Sequence, residues 1–249
     1  MSLDITQGWP PLARPLPSPP PSPQLTTLQR DGIVEIPGLS TEQVDAVWNA
    51  LRERPRYAGH VKREGRPYTG QPISCWDMHD LIVAPHFWEW ALSFAPLAKA
   101  YLGVFPLLYS MNVFETTPHD WAPHPGIEVF HRDADDVKFL ALFVYLTDVS
   151  RPEDGAHQFK LATHEYTTFD ETRTILGPAG TAFLADTRGL HMGIRPTTGP
   201  RRMAWARWGV SDPPPSYVRD CLTPLPRARL GDRYPTGPIL QRQVRLVVA

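Results

Sequence analysis

Cysteine is nearly absent from the chain. Cys75 and Cys221 are the only two, too few for a disulfide framework and without the C-x-x-C spacing of a zinc or redox site. Both are expected to be buried free thiols. Neither sign of charge dominates, with 25 basic against 26 acidic residues and a formal charge of −1. That balance removes the electrostatic footprint of a nucleic-acid binder or an anionic-membrane binder. No apolar run approaches membrane-spanning length. The opening MSLDITQGW lacks the basic and apolar regions of a secretory signal. The expectation is a soluble, cytoplasmic protein without a nucleic-acid or membrane partner. At 249 residues the chain is long enough for one well-buried domain.

Proline is what the sequence has in plenty, and much of it falls before Gln24. It fixes φ and removes a backbone donor, so this stretch favours polyproline II. Residues 1–27 therefore read as a proline-rich arm, either a ligand for an SH3-type groove or a solvated leader. Residues 28–249 read as a single domain with an irregular C-terminal wrap. Its first pieces are a short strand, Ile33 to Ile36, and a helix capped by Ser40 with Gln43 completing a capping box. Val44, Val47, Trp48 and Leu51 lie on one face of that helix. A second helix spans about Pro85 to Leu102, bent or split at Pro96 and ended by Gly103. Between the helices, residues 55–80 are polar and turn-rich, as lids often are. Cys75-Trp76-Asp77-Met78-His79-Asp80 closes this segment, and His79 with its two aspartates reads as a surface-exposed or helix-capping cluster in preference to a second metal site.

Beyond Pro106 the period changes from helical to short strands. Leu107 to Thr116 alternates, with Ser110, Asn112 and Phe114 on one face. Next comes the run FHRDADDVKFLALFVYLTDV, opening on His131-Arg132-Asp133. Taken as a strand, it points His131 and Asp133 to the same side. That pair is two thirds of a 2-His-1-carboxylate facial triad, which holds non-haem Fe(II) with open positions. His191, just after the strand-like TAFLAD, is the best candidate for the third ligand. An unconnected set of polar residues on a β-barrel is the competing reading. His119, Trp121 and His124, in the loop PHDWAPHPG, take a substrate-facing or structural role, and Trp76 and Trp121 offer a stacking wall.

The ordered combination of H-x-D, a distal histidine and the arginine strand Arg201-Arg202-Met203-Ala204-Trp205-Ala206 resembles the phytanoyl-CoA dioxygenase family of Fe(II)/2-oxoglutarate oxygenases. The resemblance covers roughly residues 28–210. It implies a mainly β fold, a double-stranded β-helix (jelly roll, cupin-type) with flanking N-terminal α-helices. It also implies His131, Asp133 and His191 as metal ligands, with Fe(II), 2-oxoglutarate and O2 as cofactor and cosubstrates. Asn112 stands where the family has an amide facing the cosubstrate. The family's 2-oxoglutarate-binding arginine lies eleven residues past the distal histidine, and 191 + 11 = 202 names Arg202. The family often has an asparagine in that loop, where Pro196 stands here. Gly155, Thr163 and His164 match a glycine-led strand ending in a small residue and a structural histidine, with Ala162 replacing a glycine.

The implied reaction oxidises a substrate C–H bond, releasing succinate and CO2. Asp133 favours hydroxylation, desaturation or cyclisation over halogenation, since related halogenases lack this carboxylate. Arg201 competes with Arg202, because strand neighbours face opposite ways. The phase with Arg202, Ala204 and Ala206 inside leaves room for a dicarboxylate. The opposite phase would crowd Arg201, Met203, Trp205 and Arg207 into the interior. No CoA-binding signature or other substrate handle is visible. A zinc or manganese cupin, or a pseudoenzyme binding a small molecule without turnover, remains the alternative. Residues 211–249 suggest irregular wrapping and a final strand in ILQRQVRLVV.

Overall fold

The computed structural model describes residues 22–59, 67–77, 80–81, 84, 86–104, 106–166 and 171–210. The arm before Ser22, His79, Cys221 and the C-terminal stretch from Ser211 lie outside them. The first described element is a helix, α1 (Pro23–Asp31), that the proline pattern concealed. Its beginning is a capping signal: the Ser22 side chain accepts from the Leu25 N–H, Pro23 opens the first turn, and Gly32 ends the helix in the left-handed region. Leu25 and Leu28 are buried. The folded domain therefore begins before Leu28.

Strand β1 (Ile33–Ile36) leads to helix α2 (Thr41–Leu51), whose Ser40–Gln43 capping box is formed as expected. The expected second long helix is divided at Phe94 into α3 (Phe87–Ser93) and α4 (Ala95–Leu102), with Pro96 in the first turn of the latter. The remaining strands are β2 (Arg56–Ala58), β3 (Ile73–Trp76), β4 (Leu107–Thr116), β5 (Phe139–Tyr145), β6 (His157–Lys160), β7 (Thr172–Ile175), β8 (Ala182–Ala185), β9 (His191–Gly193) and β10 (Arg201–Gly209). They form a seven-stranded sheet, β1-β8-β5-β10-β4-β3-β2, and a three-stranded sheet, β7-β6-β9, antiparallel throughout. This is the jelly-roll architecture with N-terminal helices.

The large sheet is buried on both faces. One face carries Val34, Leu142, Val144, Leu184, Ala204 and Ala206, in one apolar cluster with Leu28, Val47, Ala91 and Ala98 of the helices. The other carries Ile33, Phe143, Tyr145, Phe183, Met203 and Trp205, which pack with Phe159 and Ile175 of the small sheet. The phase of β10 is thus the reverse of the one expected. Small alanines serve close approach of the helices, while the wide space between the sheets takes Met203 and Trp205.

Candidate metal centre

His131 and Asp133 are not on a strand. Strand β5 starts at Phe139, and the intervening acidic run makes a turn in which Asp136 accepts from the Val137 and Val210 N–H groups. Pairing across the barrel replaces strand alternation as the positioning device. His131 and His191 exchange backbone hydrogen bonds of 3.0 Å in each direction, and the Asp133 N–H donates to the Thr187 carbonyl at 2.9 Å. Arg132, between the two, points away and ties Thr163 and Arg188 together through their carbonyls.

The outcome is convergence of one ligand atom from each of His131, Asp133 and His191, all within 4.8 Å of one another. His131 Nε2 lies 3.7 Å from Asp133 Oδ1, and His191 Nε2 lies 3.6 Å from Asp133 Oδ2. In each imidazole Nδ1–H donates to a main-chain carbonyl, Val129 at 2.8 Å and Gly189 at 2.9 Å. Those bonds fix the tautomer and leave both Nε2 lone pairs for the common point. Burial, with His131 nearby, lowers the His191 pKa to about 4 against the opposing pull of Asp133. Burial alone would raise the Asp133 carboxyl, but Arg207, His191 and His131 hold it below the usual carboxylate range.

Arg207 is a residue that sequence reasoning passed over. Its Nη2–H donates to Asp133 Oδ2 at 2.8 Å and its Nη1–H to Asp135. The signal was present: the acidic run after His131 needs a cation, and the rejected phase of β10 supplies one. Arg201 shares that inner face and is 1% exposed. Its Nη1–H donates to the Gly155 carbonyl at 3.0 Å and its Nη2–H reaches Thr116 Oγ1 at 3.4 Å, while Nε is buried without a partner. Among the described residues no carboxylate pairs with it. Gly155 and Gly193 make its space, since a Cβ at either would come within 2.9 Å and 2.8 Å of the Arg201 side chain.

Arg202, the expected inward arginine, faces the helices. Its Nε–H donates to Glu115 at 2.7 Å and its guanidinium lies 4.0 Å over the Trp48 ring. The register explains the exchange, for Arg201 opposes Thr116 and Arg202 opposes Glu115 on β4. Asn112 is buried on the inner face opposite Trp205, as the alternation of β4 predicts. Trp76 is not a wall of the site; it is buried edge-on to Trp48 on the helix side. Trp121 is 58% exposed and lines a cleft of about 580 Å³ with Gly59, Pro67, Gln71, His124 and Pro125. His119 is structural, held with Arg195 on Glu128. His164 packs at the end of α1, its Nε2–H donating to the Gln29 carbonyl, and takes no part in the triad.

A double-stranded β-helix carrying an inward 2-His-1-carboxylate cluster is the architecture of non-haem iron oxygenases. Comparison with solved structures agrees on the fold. HygX from Streptomyces hygroscopicus, solved with nickel and 2-oxoglutarate bound, is 16% identical with a TM-score of 0.57, over 75% of this chain and 86% of that one. SnoK, a non-haem α-ketoglutarate-dependent carbocyclase from nogalamycin biosynthesis, is 18% identical at a TM-score of 0.56, over 78% and 86%. The epimerase SnoN of the same biosynthesis is 19% identical at 0.55, over 74% and 81%. No protein-family model matches the chain, and no curated protein does. Among the described residues no helix is long and apolar enough to cross a membrane.

Proposed function

We propose that this protein is an Fe(II)- and 2-oxoglutarate-dependent oxygenase that oxidises, most simply hydroxylates, a C–H bond of a small molecule. The observation carrying the proposal is the convergence of His131, Asp133 and His191 to within 4.8 Å of one another. The donor set fits the metal. Two imidazoles with fixed tautomers and one ionised carboxylate suit a divalent first-row ion, and three ligands on one side leave positions open. Atoms cis to one another on an octahedral ion at about 2.1 Å are roughly 3 Å apart, so the set, spread over up to 4.8 Å with the two histidines nearest different oxygens of Asp133, draws together on a bound ion.

The wall fits the cosubstrate. A buried guanidinium without a carboxylate is costly and calls for an anion. Arg201 can take the far carboxylate of 2-oxoglutarate as a two-pronged donor, with Thr116 beside it and Asn112 on the same face. When bound, iron and 2-oxoglutarate together supply the oxidising power, with succinate and CO2 as coproducts. The chain's part is to hold and orient. His131 and His191 present Nε2, Arg207 keeps Asp133 ionised, and Phe143, Phe183 and Trp205 exclude water from the inner wall. The cleft lined by Trp121 and His124 lies on the loop that runs into His131 and offers the substrate's approach.

The test is anaerobic addition of Fe(II) and 2-oxoglutarate, followed by O2. A weak visible charge-transfer band and then succinate are expected, both lost in His191→Ala. Metal binding with neither the band nor succinate would return the protein to the cupin or pseudoenzyme class.

A further inference from the structure

His157 opens β6 and faces the space between the sheets, 3% exposed. Its ring lies stacked on the His191 ring, with centroids 5.6 Å apart at 22°, and against Phe143 at 5.2 Å and Phe183 at 4.8 Å. Its Nε2 is buried and has no hydrogen-bond partner. Across the small sheet His157 opposes Gly193, the residue whose missing side chain is replaced by the Arg201 guanidinium. Directly opposed residues share a face, so the imidazole stands beside both the candidate ligand His191 and Arg201.

An apolar residue would pack as well between two phenylalanines. A buried imidazole without a partner for its polar nitrogen is unfavourable, so its presence calls for a hydrogen-bonding partner, which an anion supplies to the tautomer with Nε2–H. An imidazole carries at least one N–H in either protonation state. Arg201 Nε and His157 Nε2 are thus two buried nitrogens, one from each sheet, both without partners.

We infer that His157 is a second determinant of cosubstrate recognition, its imidazole N–H donating to the far carboxylate of the bound 2-oxo dicarboxylate beside Arg201. This rests on the functional reading above and adds a residue and a specificity to it. His157 is a selector for the second carboxylate and takes no place in the metal's ligand set.

Calorimetry on the full chain loaded with Ni(II), which does not turn over, separates the possibilities. The probes are 2-oxoglutarate and 2-oxovalerate, in which a methyl group replaces the far carboxylate. His157→Leu is expected to weaken 2-oxoglutarate about tenfold or more, the loss of one hydrogen bond to a charged group. It should leave the Ni(II) and 2-oxovalerate affinities unchanged, and His157→Gln, which keeps an N–H, should stay within about threefold of wild type. Undiminished 2-oxoglutarate binding in His157→Leu, or an equal loss for both oxo acids, overturns the inference. A measurement on the wild-type chain guards against a variant that fails to fold. In the Zn(II)-loaded protein with 15N-labelled histidine, 2-oxoglutarate should move one imidazole N–H proton downfield and slow its exchange; no such change overturns the inference. Failure of the wild type to bind 2-oxoglutarate at all would instead overturn the functional reading, and this one with it.

Discussion

Substitution of Arg201 should move stability and binding in opposite directions. The guanidinium is 1% exposed, makes two hydrogen bonds to neutral oxygens and leaves Nε unsatisfied. Burial pushes its pKa down, against Tyr145 and Glu128. Replacing buried charge by apolar volume is commonly neutral to stabilising, by about 1–4 kcal/mol, and the two lost hydrogen bonds offset part of any gain. Arg201→Met should therefore leave the metal-free protein as stable as wild type or raise its Tm by a few degrees, at roughly 2–4 °C per kcal/mol for a chain of this size. Loss of one partner of a buried charged pair costs about 3–5 kcal/mol, so the 2-oxoglutarate Kd should rise from a hundredfold to a few thousandfold. Arg202→Ala should do the reverse. It removes a part-exposed ion pair with Glu115 and a stack on Trp48, lowering stability by about 1 kcal/mol and leaving the Kd unchanged. Thermal melts of the metal-free protein and calorimetry of the Ni(II) form read both quantities. A fall in affinity with Arg202→Ala, or none with Arg201→Met, would refute the assignment of Arg201 to the dicarboxylate.

Arg207→Leu leaves Asp133 and Asp135 without their shared cation. The metal-free protein should lose about 3 kcal/mol, and excess Ni(II) should recover part of that in a thermal melt. Glu128 is held below its ordinary pKa: burial opposes the shift, and Arg195, the His124 N–H and His119 produce it. A depressed carboxylate stabilises above its unfolded pKa and loses that contribution as pH falls through the folded value. The Tm difference between wild type and Glu128→Gln should accordingly be full at pH 7 and shrink below about pH 4. Deletion of residues 1–21 should leave the melt unchanged, since few apolar residues are lost. Deletion to Asp31 also removes buried Leu25 and Leu28 and should destabilise by several kcal/mol, about 2 kcal/mol or more per leucine. A large loss from the shorter deletion would place the arm within the fold.

Local rules, which need only a residue and its chain neighbours, made much of this protein legible in sequence. The Ser40–Gln43 capping box, the break near Pro96, and the alternation that puts Ser110, Asn112 and Phe114 on one face are of this kind. So is the order His131, Asp133, His191, which names the three side chains that the structure brings together. Helix α1 was also written locally, in Ser22-Pro23 and Gly32, but proline content masked it. Only the tertiary structure decided how the three ligands meet. Alternation along a strand would have sufficed on paper, yet the pair lies off the strand and is set by hydrogen bonds to Thr187 and His191, more than fifty residues away. The phase of β10 was decided there too. A strand buried on both faces has no polar side to mark which way it points, so its residues fit either phase. What fixed it was the fit of Ala204 and Ala206 beneath helices and the need of Arg207 for Asp133 and Asp135, partners more than seventy residues earlier in the chain.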